Sequence, residues 1–241
     1  MNTGYNDLLI IKNPKSRFAE AIKTVRTNLA FANVDEDNKV ILITSCEPGD
    51  GKSFISANLA IAYAQEAKKV LIIDCDLRKG RQHNIWKIPN STSLGYSNLV
   101  IQYKKNSSKE NSDFNIDNYI QPTVVQNVSV IPCGPIPPNP TELLASKSNQ
   151  ELVKELASKF DIVIIDCTPT IGLSDAAIMT KCSDINLLVV SNKKTTVELV
   201  NRAKKAFKNV NSEINGVILN QVSTKDIKYG NYYSDSYYGA E

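Results

Sequence analysis

The residues Cys46-Glu-Pro-Gly-Asp-Gly-Lys-Ser53 lie between an apolar run, Val40–Ser45, and an apolar pattern of helical period. A loop in that position aims backbone N–H groups at one point, on the positive end of the next helix's dipole, and so offers a seat for phosphate. Gly49 and Gly51 let the backbone curl close to phosphate oxygens with no side chain in the way. Lys52 then reaches the β- and γ-phosphates of a nucleoside triphosphate, and the Ser53 hydroxyl ligates Mg2+. The full pattern asks for glycine at position 46, where this chain has Cys46, so a Gly-rich turn carrying a surface lysine is the competing reading.

Carboxylates follow in order. The run Val70-Leu-Ile-Ile-Asp-Cys-Asp-Leu-Arg78 ends on Asp74 and Asp76, and Phe160-Asp-Ile-Val-Ile-Ile-Asp166 repeats the design with one terminal aspartate. Ligands of an open parallel sheet sit beyond the carboxyl ends of its strands, which puts Asp74 and Asp76 beside the phosphate loop. Phosphoryl transfer needs carboxylates to hold Mg2+ and one to take a proton from the attacking hydroxyl. Taken singly, each aspartate could instead cap the turn that follows it.

These residues need a scaffold that brings strand ends together. Short apolar runs alternate with helical patterns, the mark of a parallel sheet covered by helices. The predicted strands are Val40–Ser45, Val70–Asp74, Val128–Pro132, Ile162–Asp166, Ile185–Ser191 and Ile214–Asn220. The predicted helices are Ser16–Asn33, Lys52–Ala67, Thr141–Lys159, Ser174–Lys181 and Thr195–Asn209, with Thr141 and Thr195-Thr196 read as helix starts ahead of Glu142 and Glu198. The fold class expected is α/β of the P-loop NTPase type: a mostly parallel sheet with helices on both faces, as one domain over residues 1–222. Residues 104–118 are rich in Asn, Ser and charge, with Phe114 and Ile116 as their apolar members, and are expected to be a mobile loop. Residues 223–241 lack an apolar period and are expected to be a flexible tail.

Composition narrows the chemistry. One histidine, His83, excludes a His-rich zinc site or a two-histidine metalloprotease, and no G-x-S-x-G elbow supports a serine hydrolase. Five scattered cysteines without a C-x-x-C pair read as reduced thiols. The apolar runs are far shorter than the roughly 20 residues of a membrane span, and Leu8-Leu-Ile-Ile11 is too short for a signal sequence. A cytoplasmic chain is expected, reaching a membrane through a partner. The net charge of +3 is too mild to argue for nucleic acid, and no nucleic-acid partner is expected. Tyrosine is unevenly spread: of ten, five (Tyr229, Tyr232, Tyr233, Tyr237 and Tyr238) lie in the last 13 residues.

Together these motifs resemble the bacterial tyrosine kinases of capsular and exopolysaccharide synthesis, and within them the separate cytoplasmic chain of Gram-positive bacteria. Pro48 to Ser53 matches the family's Walker A loop and Val70 to Arg78 its second Walker motif. Asp166 closes the Walker B strand, Asp175 also fits, Gly134-Pro-Ile-Pro-Pro-Asn-Pro140 with Thr141-Glu-Leu-Leu144 looks like a family signature, and the tyrosine tail completes the match. The resemblance implies ATP and Mg2+ as cofactors, with Pro48, Gly49, Asp50, Gly51, Lys52, Ser53 and Phe54 around the nucleotide. It implies Lys52, Asp74 and Asp76 as catalytic residues, Asp74 being the candidate base beside the incoming tyrosine hydroxyl. Ser53, Asp76 and Asp166 are then the Mg2+ residues, partly through water. The five tail tyrosines become autophosphorylation sites, used between subunits. Glu20, Lys23 and Arg26 resemble an E-x-x-R-x-x-R interface motif of a ring-shaped homo-oligomer, and they share one helical arc. Further implied partners are a membrane-anchored activator of the polysaccharide co-polymerase type, which draws the chain to the inner face of the membrane, other tyrosine-bearing proteins, and a phosphatase.

Several alternatives stay open on the residues. The arc of Glu20, Lys23 and Arg26 also reads as a solvated face, and Lys23 stands where the family has arginine, which pairs bidentately as lysine does not. Gly80 replaces a usual proline, Cys167-Thr-Pro-Thr170 a Thr-Pro-Pro, and Phe54 a small polar residue. Asn220 reads either as an adenine contact or as a structural turn. Arg78, Lys79 and Arg81 read as phosphate-neutralising or solubilising, and the prolines from Pro135 to Pro140 as a stiff connector or a partner contact. A different class, the ATP-switched positioning ATPases of chromosome partition and division-site placement, carries a signature lysine five residues before the phosphate lysine. That position is Glu47 here, and such proteins have no use for a tyrosine cluster.

Overall fold

The computed structural model describes residues 7–32, 39–106 and 114–223. Runs of Val, Ile and Leu without polar alternation must be covered on both faces, and they form the sheet. Its strands are β1 (Val40–Ser45), β2 (Val70–Asp74), β3 (Gln121–Pro122), β4 (Val128–Ile131), β5 (Ile162–Asp166), β6 (Ile185–Ser191) and β7 (Gly216–Asn220), in the order β3-β4-β2-β5-β1-β6-β7. Neighbours pair in parallel except β3 and β4. Every residue of β1, β2 and β6 is buried. Pro122 is tolerated because β3 is an edge strand, where a missing donor breaks no ladder.

Helices lie on both faces, as expected. On one, α1 (Leu9–Lys12), α2 (Arg17–Ala32), α3 (Lys52–Ala64) and α4 (Gln82–Trp86) pack Ile22, Ile55, Leu59 and Trp86 onto Ile41, Ile43, Ile72 and Ile164. On the other, α5 (Tyr96–Asn106), α6 (Pro140–Ala145), α7 (Lys147–Lys159) and α8 (Asp175–Met179) set Leu99, Val100, Leu152, Leu156 and Met179 against Leu42, Leu71, Ile73 and Ile165. The last helix, α9 (Val197–Lys208), places Ala203 on Leu188 and Val190.

Four readings need correction. The helix expected over Thr141–Lys159 is two, broken at Ser146, which sits at φ −66°, ψ 148°. The Ser146 hydroxyl donates to Leu143 O and accepts from Asn149 N, an alternative to the helical ladder. Buried Asn149 holds the break by donating to Leu144 O and accepting from Tyr96 Oη. Thr141 does not start α6: Pro140 is its first residue, and the Thr141 hydroxyl is used elsewhere. The expected loop over 104–118 is ordered at both ends. Residues 104–106 finish α5, and Ile116–Tyr119 form a 3-10 turn capped by Asn115, with Ile116 and Tyr119 buried. Residues 107–113, and the tail beyond Ser223 with its five tyrosines, lie outside the described residues. Finally, α1, α4 and α5 were not foreseen, although Tyr96, Leu99, Val100 and Tyr103 have the helical spacing i, i+3, i+4, i+7.

Candidate active site

The phosphate loop is built by backbone first. Gly49 and Gly51 adopt φ of +85° and +101°, a region closed to most side chains, and Lys52 opens α3 directly after them. Asp50 is fully buried beneath the loop. Its carboxylate accepts from Glu47 N at 2.8 Å and from Thr195 Oγ1 at 3.3 Å, and pairs with Lys194 at 3.2 Å. Lys194 also donates to the Pro48 carbonyl, Gln221 Nε2 to the Gly49 carbonyl and Asn220 Nδ2 to the Asp50 carbonyl. The ends of β6 and β7 therefore clamp the loop from behind. Lys194, Thr195 and Gln221 had no recognisable signal, being polar residues after apolar strands. Asn220, foreseen at the site, stands under the loop, and Phe54 packs its ring against Phe18 of α2 at 5.0 Å.

Parallel pairing of β2 with β5 sets Asp74 opposite Asp166 in register, and β5 lies next to β1, which feeds the loop. Lys52 Nζ lies 2.9 Å from Asp76 Oδ2 and 3.4 Å from Asp166 Oδ1, and donates to Ser53 Oγ at 3.3 Å. Burial opposes the charge on Lys52, but Asp166, Asp76 and Asp74 outweigh it and raise its pKa. Asp74 is driven the other way for an acid. Burial first, then the charge of Asp166, lift its carboxyl to about 8 against the pull of Lys52 and a hydrogen bond from Gln82 N. Ser53 Oγ with the Asp76 and Asp166 carboxylates is an all-oxygen donor set, which fits Mg2+.

Gln82, at the start of α4, was missed altogether. Its backbone N–H donates to Asp74 Oδ2 at 3.0 Å. Its side-chain amide donates to Asp166 Oδ2 at 2.8 Å and to the Ser53 carbonyl at 3.1 Å, and its Oε1 accepts from Trp86 Nε1. One glutamine thus ties both strand-end carboxylates to the first turn of α3. No spacing rule marks it, because it acts through contacts between elements distant in sequence.

A second tie closes the front. Arg78 Nε reaches Asp175 Oδ2 at 3.1 Å, its Nη2 donates to Thr141 Oγ1, and Thr141 donates to Asp175 Oδ1 at 2.6 Å. The start of α6 is thereby fixed to the end of β2. The cleft this leaves, about 400 Å³, is lined by the loop, Asp76, Arg78, Lys79, Arg81, Pro169 and Leu173, with its cations facing a space suited to anions. Glu20, Lys23 and Arg26 are not part of it. Glu20 and Lys23 pair with each other at 2.6 Å, while Arg26 donates to the Ala62 carbonyl at 2.8 Å and pairs with Glu66, anchoring α2 to the end of α3.

A parallel sheet with a glycine-bent phosphate loop after β1, its lysine held between strand-end carboxylates, defines a P-loop nucleotide-binding protein. Residues 38–219 match the family described as AAA domain. The chain is 38% identical over 227 residues to the tyrosine-protein kinase YwqD of Bacillus subtilis (strain 168), covering 94% of this chain and 91% of that one. It superposes on the crystal structure of the chimerical protein CapA2B2 with a TM-score of 0.81 and 34% identity, covering 90% and 91% of the two chains. The septum site-determining protein MinD of Pyrococcus horikoshii OT3, solved with Mg-ADP, shares the fold at a TM-score of 0.59 and 22% identity, over 75% of this chain and 69% of that one. The chain belongs to the bacterial tyrosine kinases, and protein-tyrosine kinase activity is its function.

Proposed function

We propose that this kinase transfers the γ-phosphoryl group of ATP to its own C-terminal tyrosines Tyr229, Tyr232, Tyr233, Tyr237 and Tyr238, between subunits of a homo-oligomer, and thereby regulates capsular or exopolysaccharide synthesis. The observation that carries this is the convergence of Lys52, Asp74, Asp76 and Asp166 beside the phosphate loop, in a chain that carries five tyrosines in its last 13 residues.

The loop amides and Lys52 hold the phosphates. Asp74 takes the proton of the tyrosine hydroxyl as its oxygen attacks the γ-phosphorus, the bond to the β–γ bridging oxygen breaks, and ADP leaves. Ser53, Asp76 and Asp166 would hold Mg2+, which would supply charge neutralisation at the phosphates. Arg78, Lys79 and Arg81 favour the anionic substrate at the cleft mouth. Gln82 acts as a positioning residue, holding Asp74 and Asp166 in their relative places. Asn220 contacts the nucleotide base, and the arc of Glu20, Lys23 and Arg26 meets a neighbouring subunit.

No helix among the described residues is long and apolar enough to cross a membrane. A membrane-anchored activator of the polysaccharide co-polymerase type therefore fits as the partner that brings the cytoplasmic chain to the inner face, with a phosphatase to reverse the reaction. A positioning ATPase gains support only at the level of fold, and Glu47 occupies the place of that class's signature lysine. The test is incubation with Mg-ATP, with and without an activator's cytoplasmic segment, followed by mass spectrometry of the tail. Phosphotyrosine is expected on the cluster, and Lys52→Met should lower it at least 100-fold. ATP binding with no tail phosphotyrosine would overturn the autophosphorylation reading.

A further inference from the structure

Beside Asp74 the structure gathers two groups that phosphoryl transfer does not use, His83 and Cys133. A carboxylate oxygen of Asp74, a ring nitrogen of His83 and the Cys133 sulfur all lie within 4.8 Å of one another. They come from three places in the chain: the end of β2, helix α4, and the segment after β4. Asp74 and Cys133 are buried, and His83 Nδ1 is a buried polar atom with no hydrogen-bond partner among the described residues. An orphaned buried nitrogen costs desolvation free energy unless something binds it. Burial and Arg81 favour the neutral imidazole, which is the ligating form.

The space among the three is kept open by Gly80. A Cβ at that position would lie 2.5 Å from Cys133 Sγ and 2.7 Å from Asp74 Oδ2, so only glycine leaves the sulfur and the carboxylate facing each other without an intervening side chain. Among the described residues the Cys133 thiol, a weak donor, makes long contacts to Asn90 Oδ1 at 3.8 Å and Gly134 O at 3.5 Å.

We propose that Asp74, His83 and Cys133 form an inhibitory site for a soft divalent cation, with Zn2+ the ion that one sulfur, one nitrogen and one oxygen suit best. Tetrahedral ligand atoms on zinc stand about 3.5 Å apart, so the three side chains close by up to about 1 Å around it, and water fills the fourth position. The Cys133 thiol and the Asp74 carboxyl each give a proton to solvent as the sulfur and the oxygen bind. The ion takes a lone pair of Asp74 and pins the side chain, so that the carboxylate no longer accepts a proton from tyrosine. The inhibitory effect rests on the reading of Asp74 as proton acceptor, whereas the metal site itself does not.

The probe is Co2+ added to the nucleotide-free full chain, and then Zn2+ held at fixed free concentrations in kinase assays with saturating Mg-ATP. Wild type is expected to show a near-ultraviolet sulfur-to-cobalt charge-transfer band. Cys133→Ser should lose it, and His83→Gln should weaken Co2+ binding at least tenfold. Zinc should inhibit wild type, and Cys133→Ser should need at least tenfold more zinc while keeping basal activity. Absence of the band in wild type, or its persistence in Cys133→Ser, would overturn the site. A band confined to Cys133 without zinc inhibition would overturn the inhibitory role. Asp74→Asn assayed in parallel separates the two readings, since full activity in that variant refutes the acceptor role of Asp74 whatever zinc does.

Discussion

Asp74 carries a proton at neutral pH in the ligand-free site, because burial and the neighbouring Asp166 charge lift its pKa from 3.8 to about 8. The folded protein holds this proton where the unfolded chain has lost it. The contribution to stability is therefore full below about pH 4 and is lost as pH rises through about 8. In the proposed mechanism activity runs the opposite way, since an acceptor must be ionised. We expect kcat/KM to rise with pH on a limb near 8, and the limb to move to lower pH as free Mg2+ is raised. Asp74→Asn should lower kcat by about 100-fold or more. A kcat/KM that is flat between about pH 6 and 9 would remove Asp74 from the acceptor role. Asp74 itself was visible in the sequence as a carboxylate ending an apolar run. Its perturbation was not, since that depends on its register partner and on Gln82.

Among the elements, the phosphate loop depends on its neighbours as much as on its glycines. Gly51 at φ +101° would cost a side chain about 1–2 kcal/mol from backbone strain alone. A Cβ there would also lie 2.1 Å from Asn220 Nδ2. Gly51→Ala should therefore weaken ATP binding at least tenfold by calorimetry while leaving the far-ultraviolet circular dichroism unchanged. Adding Asn220→Ala relieves the clash but not the strain, so recovery should be partial. Full recovery would mean that the clash alone matters. The glycines were legible because few other residues accept that backbone, whereas the clamp of Lys194, Thr195 and Gln221 was not. The break between α6 and α7 escaped for a related reason: Ser146 and Asn149 fit a helix by pattern, and Tyr96, far away in the chain, helps hold the alternative.

Across the whole molecule, one charge argument follows from the tail. Each phosphate on tyrosine adds about −1.5 to −2. Five would add roughly −8 to −10 and reverse the net charge of +3, all in one short segment. In the proposed homo-oligomer, repulsion from an ATP-bearing site should then eject the tail and loosen subunit contacts. Light scattering before and after exhaustive phosphorylation should record a fall in mean mass, and an unchanged mass would remove this step while leaving the kinase activity intact.

What the sequence determined by itself was local in origin. Four strands, β1, β2, β5 and β6, have the bounds expected, because runs of β-branched and apolar residues can only be buried, and the glycine-lysine-serine loop announces phosphate through backbone geometry. Which strands lie side by side was decided only in three dimensions. The order β2-β5-β1 brings Asp74, Asp166 and Lys52 together, and α4 then supplies Gln82 to both carboxylates and His83 to the cluster with Asp74 and Cys133. Each of these contacts joins residues far apart in the chain, and burial then determines how they ionise. A linear pattern holds no record of either.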